Sequence, residues 1–366
     1  SEEKDELRVY TLKSNAPLRD NKPSEKIIKF PEYQNHTYTR TRNLLFDGLY
    51  ALAIHEAKLN SVSQIKDGAY NDGNPISLNA FQTGELWTYV WTRDLAYSVH
   101  LALAQFDTKR SIESLLFKTS PFKNYLNRKD EVQIIQDTGS GGSYPVSTDR
   151  VVWALGAQEA LKYLPKNQQK SFLELIYPIL QSTIEQDRVL VFDNYYSWGL
   201  YSGEQSFLDW REQSYPNWTK DNVVPISMSK TLSVNVAQYS ILNFAAMCAE
   251  KLNKLEDAEK YKVWALRLKE SINRYLYDEN LGQYYAYRLS NGIYDLPVFR
   301  YDLLGSSLAI LLNVADEEMS KKILSNYPIG KYGPSVTWPI EKNIPIYHNQ
   351  GCLLYTSDAA DELLGV

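Results

Sequence analysis

The chain has 366 residues, of which 44% are hydrophobic and 23% are charged, so it can bury a sizeable core. Its formal net charge of −5 argues against nucleic acid as the main partner, because phosphate binding needs a basic surface. Two cysteines, Cys248 and Cys352, exclude a disulfide framework and a cysteine-based metal site. No apolar run reaches the roughly 18 residues of a membrane helix, so no membrane span is predicted.

Helical patterns dominate after a polar, proline-containing stretch at residues 1–40, which we predict to be an extended N-terminal arm or the end of a preceding domain. Leu232, Val236 and Tyr239, for example, recur at the three- and four-residue steps of one helix face. The predicted helices span 41–59, 94–106, 108–118, 147–163, 167–186, 229–253, 256–276, 300–313 and 316–325. Helices of this kind pack in pairs, which predicts an all-α domain of helical hairpins.

Long segments rich in aromatic residues, glycine and proline connect these helices, and long loops on a compact helical domain are typically functional. Short strands are predicted inside them at Arg188–Phe192 and Gln283–Arg288. The 28 tyrosines and 8 tryptophans offer flat apolar faces with polar edges, which suit sugar rings, although tyrosine-rich cores and protein interfaces use the same residues.

Carboxylates within the aromatic segments are candidates for glycoside hydrolysis, which needs two carboxyl groups flanking the scissile bond. The first candidate segment holds Trp91, Arg93 and Asp94 at a predicted helix start, where Asp94 has a plain N-cap as its alternative. The second is a glycine-rich loop in which Asp137 is the candidate sugar ligand, while Asp149, just before a helix, is interpreted as a cap.

The third candidate segment places three acidic groups among aromatic side chains, whereas solvated loops seldom contain so many tryptophans and tyrosines. Its candidate residues are Trp198, Glu204, Asp209, Trp210, Arg211 and Glu212. The fourth segment contains Trp338, Glu341 and His348, and a lone histidine is more often structural than catalytic. No HExxH motif or close histidine pair is present, so neither a metal nor another cofactor is predicted.

Taken in order, these segments resemble the six-hairpin glycosidase superfamily, in particular its invertase, debranching-glucosidase, trehalase and processing-glucosidase branches. Trp91–Asp94 is similar to the family's W-x-R-D segment, and Phe207–Arg211 resembles the loop that holds the general acid. Asp278–Tyr284 follows a D-x-x-x-G-x-Y pattern, and Tyr347–Asn349 matches Y-H-N. Val146–Trp153 is similar to the V-D-x-x-x-W helix opening, with Asp149 displaced from the usual position.

The resemblance implies an all-α (α/α)6 toroid over residues 41–351, incomplete at its C-terminus, with loops and short β segments at one end. It implies an inverting hydrolase of an α-glucoside-like oligosaccharide or glycan, with Asp209 as the general acid. Several branches place the general base beyond the Y-H-N segment, so Glu341 is the fallback base here, and Glu212 is a further catalytic candidate. The implied partner is a carbohydrate substrate.

The last fifteen residues stand apart from this pattern. Residues 352–362 match the translation of a common transposase sequencing adapter, so we predict that 352–366 are not native and that the natural chain continues past about residue 351. An ordinary C-terminal helix is the alternative.

Two other functions remain open from the sequence. A glycan-binding protein would keep the aromatic residues without a working base. A polysaccharide lyase or sugar epimerase on a related toroid would need histidine or tyrosine base chemistry, and only four histidines are present. A periplasmic or secreted location is slightly favoured over the cytoplasm, and the oligomeric state is left undetermined.

Overall fold

The computed structural model describes residues 2–4, 7–13, 27–68, 70–84, 88–120, 132–136, 144–193, 198–206, 215, 224–290, 295–330 and 333–339. All nine predicted helices are present in it, and a short helix is added. The helices are α1 (Leu44–Leu59), α2 (the consecutive segments Thr92–Ser98, Val99–Leu103 and Ala104–Phe106), α3 (Thr108–Phe117), α4 (Trp153–Tyr163, preceded by a 3-10 turn at Asp149–Val152), α5 (Lys166–Leu190), α6 (Val224–Ser227), α7 (Leu232–Lys251), α8 (Leu255–Leu276), α9 (Leu303–Leu311) and α10 (Glu317–Asn326).

Consecutive helices differ in how much of their surface they bury, most clearly in the pair α7 and α8. Helix α7 buries 15 of its 20 residues, whereas the helix that follows it, α8, buries only 6 of 22 and exposes a charged face. Helices α2, α4, α7 and α9, here called the inner helices, contact one another in that order, while α3, α5 and α8 each pack against one or two of them and α10 packs against β8. The structure therefore has the helical-hairpin arrangement that the sequence predicts, while closure into a ring of six hairpins stays a prediction.

Helices α2 and α4 approach each other closely at Gly156. A Cβ atom at this position would lie 3.2 Å from the carbonyl oxygen of Ala96 and 3.3 Å from a methyl group of Leu115. The buried indole of Trp153, in α4, donates to the carbonyl oxygen of Leu115, in α3, at 2.7 Å. The small residue thus lets α2 pack closely on α4, and the directed hydrogen bond joins α4 to α3.

Short antiparallel strands occupy the connections. They are β1 (Glu2–Lys4), β2 (Leu7–Lys13), β3 (Ile27–Pro31), β4 (Ser61–Ile65), β5 (Ile76–Phe81), β6 (Lys230–Thr231), β7 (Tyr277–Asp278), β8 (Gln283–Tyr284), β9 (Tyr287–Ser290), β10 (Asp295–Val298), β11 (Tyr301–Asp302), β12 (Ile329–Gly330), β13 (Gly333–Pro334) and β14 (Thr337–Trp338). Sheets form in the orders β1-β2-β3, β10-β9-β6, β11-β14, β12-β13, β4-β5 and β7-β8. The strand expected at 283–288 is present as β8 and the start of β9, with a break between them.

The strand predicted at Arg188–Phe192 is wrong. Helix α5 continues through Leu190, and only Phe192 makes an isolated bridge, with Tyr201. The last turn of α5 is held by tertiary contacts, because Asp187 is buried and Arg188 lies over the ring of Phe192. These contacts override the β propensity of the valine-rich sequence.

The N-terminal strands pack against the first helix. Tyr10 of β2 and Phe30 of β3 form a small buried cluster with Ala51 of α1. Within 1–40, the described residues therefore include a three-stranded sheet, and a domain boundary at residue 40 stays a prediction. Among the helices of the described residues, none is long and apolar enough to cross a membrane.

Candidate functional site

The first turn of α2 carries the first group of candidate sugar ligands. The helix begins at Thr92, two residues earlier than predicted, and the hydroxyl of Thr92 donates to the carbonyl oxygen of Ile135 at 2.9 Å. Trp91 occupies the N-cap position, so Asp94 lies inside the first turn and is not the N-cap. A carboxylate there interacts favourably with the positive end of the helix dipole.

Asp149, which the sequence suggested was a helix cap, is instead the centre of a buried polar cluster. Its side chain is 2% exposed, and Oδ1 accepts from the amide of Gln136 at 2.7 Å. Oδ2 accepts from the hydroxyl of Ser206 at 2.7 Å and lies 3.7 Å from Nη1 of Arg93. We call Arg93, Gln136, Asp149 and Ser206, together with Ser233, the helix-start cluster.

The helix-start cluster joins the starts of several inner helices. Arg93 belongs to the first turn of α2, and Asp149 begins the turn that leads into α4. The hydroxyl of Ser233, in the first turn of α7, accepts from the backbone N–H of Ser206 at 3.0 Å. Because these contacts are all short, the starts of α2, α4 and α7 lie at the same end of the helical layer.

Helix α9 reaches the same place through Asp302, its N-cap residue. Burial raises the pKa of Tyr97, which lies in α2, and the negative charges of Asp149 and Asp302 raise it further. A Cβ atom built on Gly305, in the first turn of α9, would lie 2.6 Å from Oδ2 of Asp302 and 2.9 Å from the side chain of Leu232, the residue before Ser233 in α7. The start of the fourth inner helix therefore adjoins the helix-start cluster.

Arg150 follows Asp149 in sequence but points into a different network. Its guanidinium donates to Oδ1 of Asp187 at 2.6 Å, and Oδ2 of Asp187 accepts from Gln238 at 2.8 Å. The guanidinium of Arg150 also lies 4.2 Å from the centre of the Tyr144 ring. This buried network ties α5 and α7 to the start of α4, whereas Asp149 is approached by the guanidinium of Arg93.

The segment 207–214 is bounded by two anchored residues. On one side, Ser206 is held by Asp149 and Ser233. On the other side, the buried hydroxyl of Tyr215 accepts from the backbone N–H of Gln205 at 3.0 Å, and its ring stacks on Tyr287 at 4.4 Å. Burial raises the pKa of Tyr215, which keeps its hydroxyl protonated. Both ends of the segment are thus attached beside the helix-start cluster.

Glu204 lies on the same anchored stretch. It is buried, and its backbone N–H donates to the carbonyl oxygen of Val146 at 2.9 Å. Its negative charge contributes to the raised pKa of Tyr215. Glu204 is therefore brought near the predicted acid-bearing segment, as a residue of the protein interior.

The two tryptophans of the later segments have different surroundings. Trp198 stacks on Tyr275 of α8 at 5.6 Å and lies under the guanidinium of Arg288 at 5.3 Å, so these contacts join it to an outer helix and to β9. Trp338 is 40% exposed and pairs with Tyr301, the residue before Asp302. Trp338 thus lies beside the start of α9, whereas the ring contacts of Trp198 are made with residues outside the helix-start cluster.

Several predicted site residues lie outside the described residues. They are Asp137, Asp209, Trp210, Arg211, Glu212, Glu341 and His348. Gln136, which immediately precedes Asp137, is part of the helix-start cluster. Across the part of the chain that the structure describes, no group of three or more histidine, cysteine, aspartate or glutamate residues is arranged to hold a metal ion.

Sequence reasoning missed the central role of Asp149 and of its partner Ser206, and it did not select Tyr97 or Asp302. The available signal was the similarity of Val146–Trp153 to the V-D-x-x-x-W helix opening, which drew attention to Asp149 without separating a buried hub from a cap. Nothing in the local sequence marks Ser206, because its two partners lie 57 and 27 residues away.

Helical hairpins with their inner helix starts gathered at one end define the class of (α/α)6-barrel-type folds, to which the structural neighbours belong. One neighbour is a GH78 family rhamnosidase of Bacillus sp. GL1, with a TM-score of 0.54 and 16% identity over 82% of this chain and 28% of that chain. Another is a GH63 mannosylglycerate hydrolase from Thermus thermophilus in complex with Tris and D-glycerate, with a TM-score of 0.51 and 15% identity over 75% of each chain.

The chain thus spans less than a third of that rhamnosidase. Neither a protein-family model nor a curated protein sequence matches it. At identities of 15–16% the likeness establishes a shared fold, and a shared fold does not fix an activity.

Proposed function

We propose that this chain is the helical domain of a glycoside hydrolase that cleaves an α-glucoside-like oligosaccharide or glycan with inversion. The observation that carries the proposal is the anchoring of Ser206 and Tyr215, on either side of Asp209, beside the cluster that includes Arg93. Asp209 is three residues from Ser206, so covalent geometry keeps their Cα atoms within about 11 Å of each other. Ser206 and Arg93 both reach Asp149, so this short tether supports a position of Asp209 near the proposed sugar-binding turn, as action on one glycosidic bond requires.

Each predicted residue has a role in this mechanism. Asp209 protonates the leaving oxygen, and a second carboxylate, Glu341 or Glu212, activates water on the opposite face of the sugar. Arg93 and Asp94 are a charged hydrogen-bonding pair of the kind that suits sugar hydroxyls. The proposed substrate-binding residues are Trp91, Arg93, Asp94, Asp137, Trp198, Glu204, Trp210, Arg211, Trp338 and His348.

An Asp209→Asn variant tests the assignment of the general acid. On an α-linked glucose disaccharide, loss of the acid should lower kcat by about 10²- to 10⁴-fold. On 4-nitrophenyl α-glucoside the loss should be much smaller, because nitrophenolate leaves without needing a proton. Proton NMR of the wild-type reaction should show the β-anomer of glucose first, as inversion requires.

Asp316→Asn is the matched control for this experiment. Asp316 caps α10 by accepting from the backbone N–H of Met319 at 2.8 Å, and asparagine can accept the same bond, so fold and turnover should be unchanged. Retained disaccharide turnover in Asp209→Asn would rule out this acid. Sugar binding without any turnover by the wild-type chain would overturn the hydrolase and support a glycan-binding protein.

A further inference from the structure

The carboxylate of Asp149 receives polar groups from three separate stretches of the chain. Oδ1 accepts from Gln136, and Oδ2 is shared by the Ser206 hydroxyl and the Arg93 guanidinium. Gln136 is itself fixed, because its Oε1 accepts from the backbone N–H of Arg150 at 2.8 Å. Asp149 is therefore locked in orientation by its own neighbours.

We propose that Asp149 is a positioning residue, which acts through Ser206 to hold the stretch 204–206, from which the chain continues to Asp209, in register with the proposed sugar-binding turn of α2. This inference rests on the proposed function and adds to it a residue that does not itself touch the substrate.

Ser206 is the link through which Asp149 acts. Its hydroxyl donates to Asp149, and its backbone N–H donates to Ser233, so two directions of movement are restrained. Removing the hydroxyl removes the restraint that Asp149 supplies to Ser206. Small displacements of a catalytic group cost turnover more than they cost binding, because the reacting atoms must align.

The shared oxygen also connects sugar binding to the acid-bearing segment. Arg93 and Ser206 reach the same Oδ2 of Asp149, at 3.7 Å and 2.7 Å. A sugar that engages Arg93 therefore acts on the same carboxylate that holds Ser206. Asp149 therefore contacts both the proposed binding turn and the stretch that leads to the proposed acid.

Ser206→Ala in the 366-residue chain tests the link in two ways. Hydrogen–deuterium exchange at the backbone amides of residues 204–206 should be about tenfold faster than in the wild type, because a hydrogen bond to a charged group is lost. With the α-linked glucose disaccharide, kcat should fall about tenfold and KM should change less than about twofold.

Ser111→Ala is the matched control for the lost hydroxyl. Ser111 is equally buried and donates to the carbonyl oxygen of Leu103 in α2 at 2.9 Å, away from the helix-start cluster. It should leave both the exchange at 204–206 and kcat unchanged. Because Ser206 acts through Asp149, the Asp149→Asn/Ser206→Ala double variant should lose no more kcat than Asp149→Asn alone.

The outcomes separate this inference from the proposed function. If exchange at 204–206 in Ser206→Ala matches that in Ser111→Ala, the link fails whether or not the chain is active. Fully additive losses of kcat, or a change confined to KM, would overturn the positioning role. A wild-type chain that turns over no glycoside rejects the hydrolase, and the positioning role falls with it, even if the exchange result shows that the structural link exists.

Discussion

Gly203→Ala is the sharpest structural test of the stretch that leads to the proposed acid. Gly203 has φ of +151°, and a Cβ atom built on it would lie 2.1 Å from Oγ1 of Thr148. That hydroxyl donates to the carbonyl oxygen of Ser202 at 2.8 Å, so alanine forces Thr148 to move and breaks the bond. Two separate penalties therefore arise from one added methyl group.

The size of the effect follows from these two penalties. A non-glycine residue with such a φ costs about 1–3 kcal/mol. Loss of one hydrogen bond between neutral groups adds about 0.5–1.5 kcal/mol. We expect Gly203→Ala to lower the free energy of unfolding by about 2–4 kcal/mol.

Urea unfolding followed by circular dichroism at 222 nm measures this loss. Gly68→Ala is the control, because a Cβ atom on Gly68 meets no atom within 4 Å, and its stability should stay within about 0.5 kcal/mol of the wild type. Thr148→Ala combined with Gly203→Ala should cost less than the sum of the single changes, since the closest clashing atom is gone. A Gly203→Ala variant as stable as the wild type would refute this account of the stretch.

Three further predictions concern the helical core. Trp153→Phe removes the indole donor to the carbonyl oxygen of Leu115, which keeps the backbone N–H of Lys118 as a second donor at 3.1 Å. Urea unfolding should therefore show a loss of about 0.5–1.5 kcal/mol, and an unchanged midpoint would contradict this. The hydrogen bond from Tyr177 lowers the pKa of Asp257 in the folded protein. The carboxylate of Asp257 therefore stabilises the folded state at pH values above its unfolded pKa, and this stabilisation is lost as the pH falls through its folded pKa. The stability gap between wild type and Asp257→Asn should therefore be constant from about pH 6 to 8 and shrink below about pH 4; a gap that persists at about pH 3 would count against it. Burial raises the pKa of Cys248 to about 12. In a Cys352→Ser variant, a disulfide reagent at about pH 8 should therefore react quickly with Cys248 only after the protein is unfolded. Rapid reaction of the native protein would disprove this.

Periodicity was sufficient to predict the helices because each has a face that the fold buries. In α8, Tyr261, Leu268 and Ile272 are buried while the lysines and glutamates between them are not. This spacing is a local property of the sequence, so it predicts a helix whatever the helix packs against. The inner or outer position of a helix is a tertiary property, and only the buried fraction in the folded protein separates α7 from α8.

The helix-start cluster could not be predicted in the same way. Asp149 has the local sequence of a helix cap, and only its contacts with residues 13, 56 and 57 positions away identify it as a hub. The same limit explains the wrong strand at Arg188–Phe192, where valine-rich sequence favours β structure and the contacts of Asp187 and Arg188 keep it helical. Sequence patterns locate Trp91–Asp94 and Asp209 as candidates, but their partners depend on the fold.

The gathering of inner helix starts at one end has a consequence for how specificity can change. The helices are locked to one another by apolar packing below the cluster, for example at Gly156, where no larger side chain fits without displacement. The peptide stretches above them enter from different parts of the chain and do not share that packing. A stretch that keeps its contact with Asp149 can therefore be exchanged for another while the helices keep their positions, and under the proposed function this would change the sugar that is bound one connection at a time.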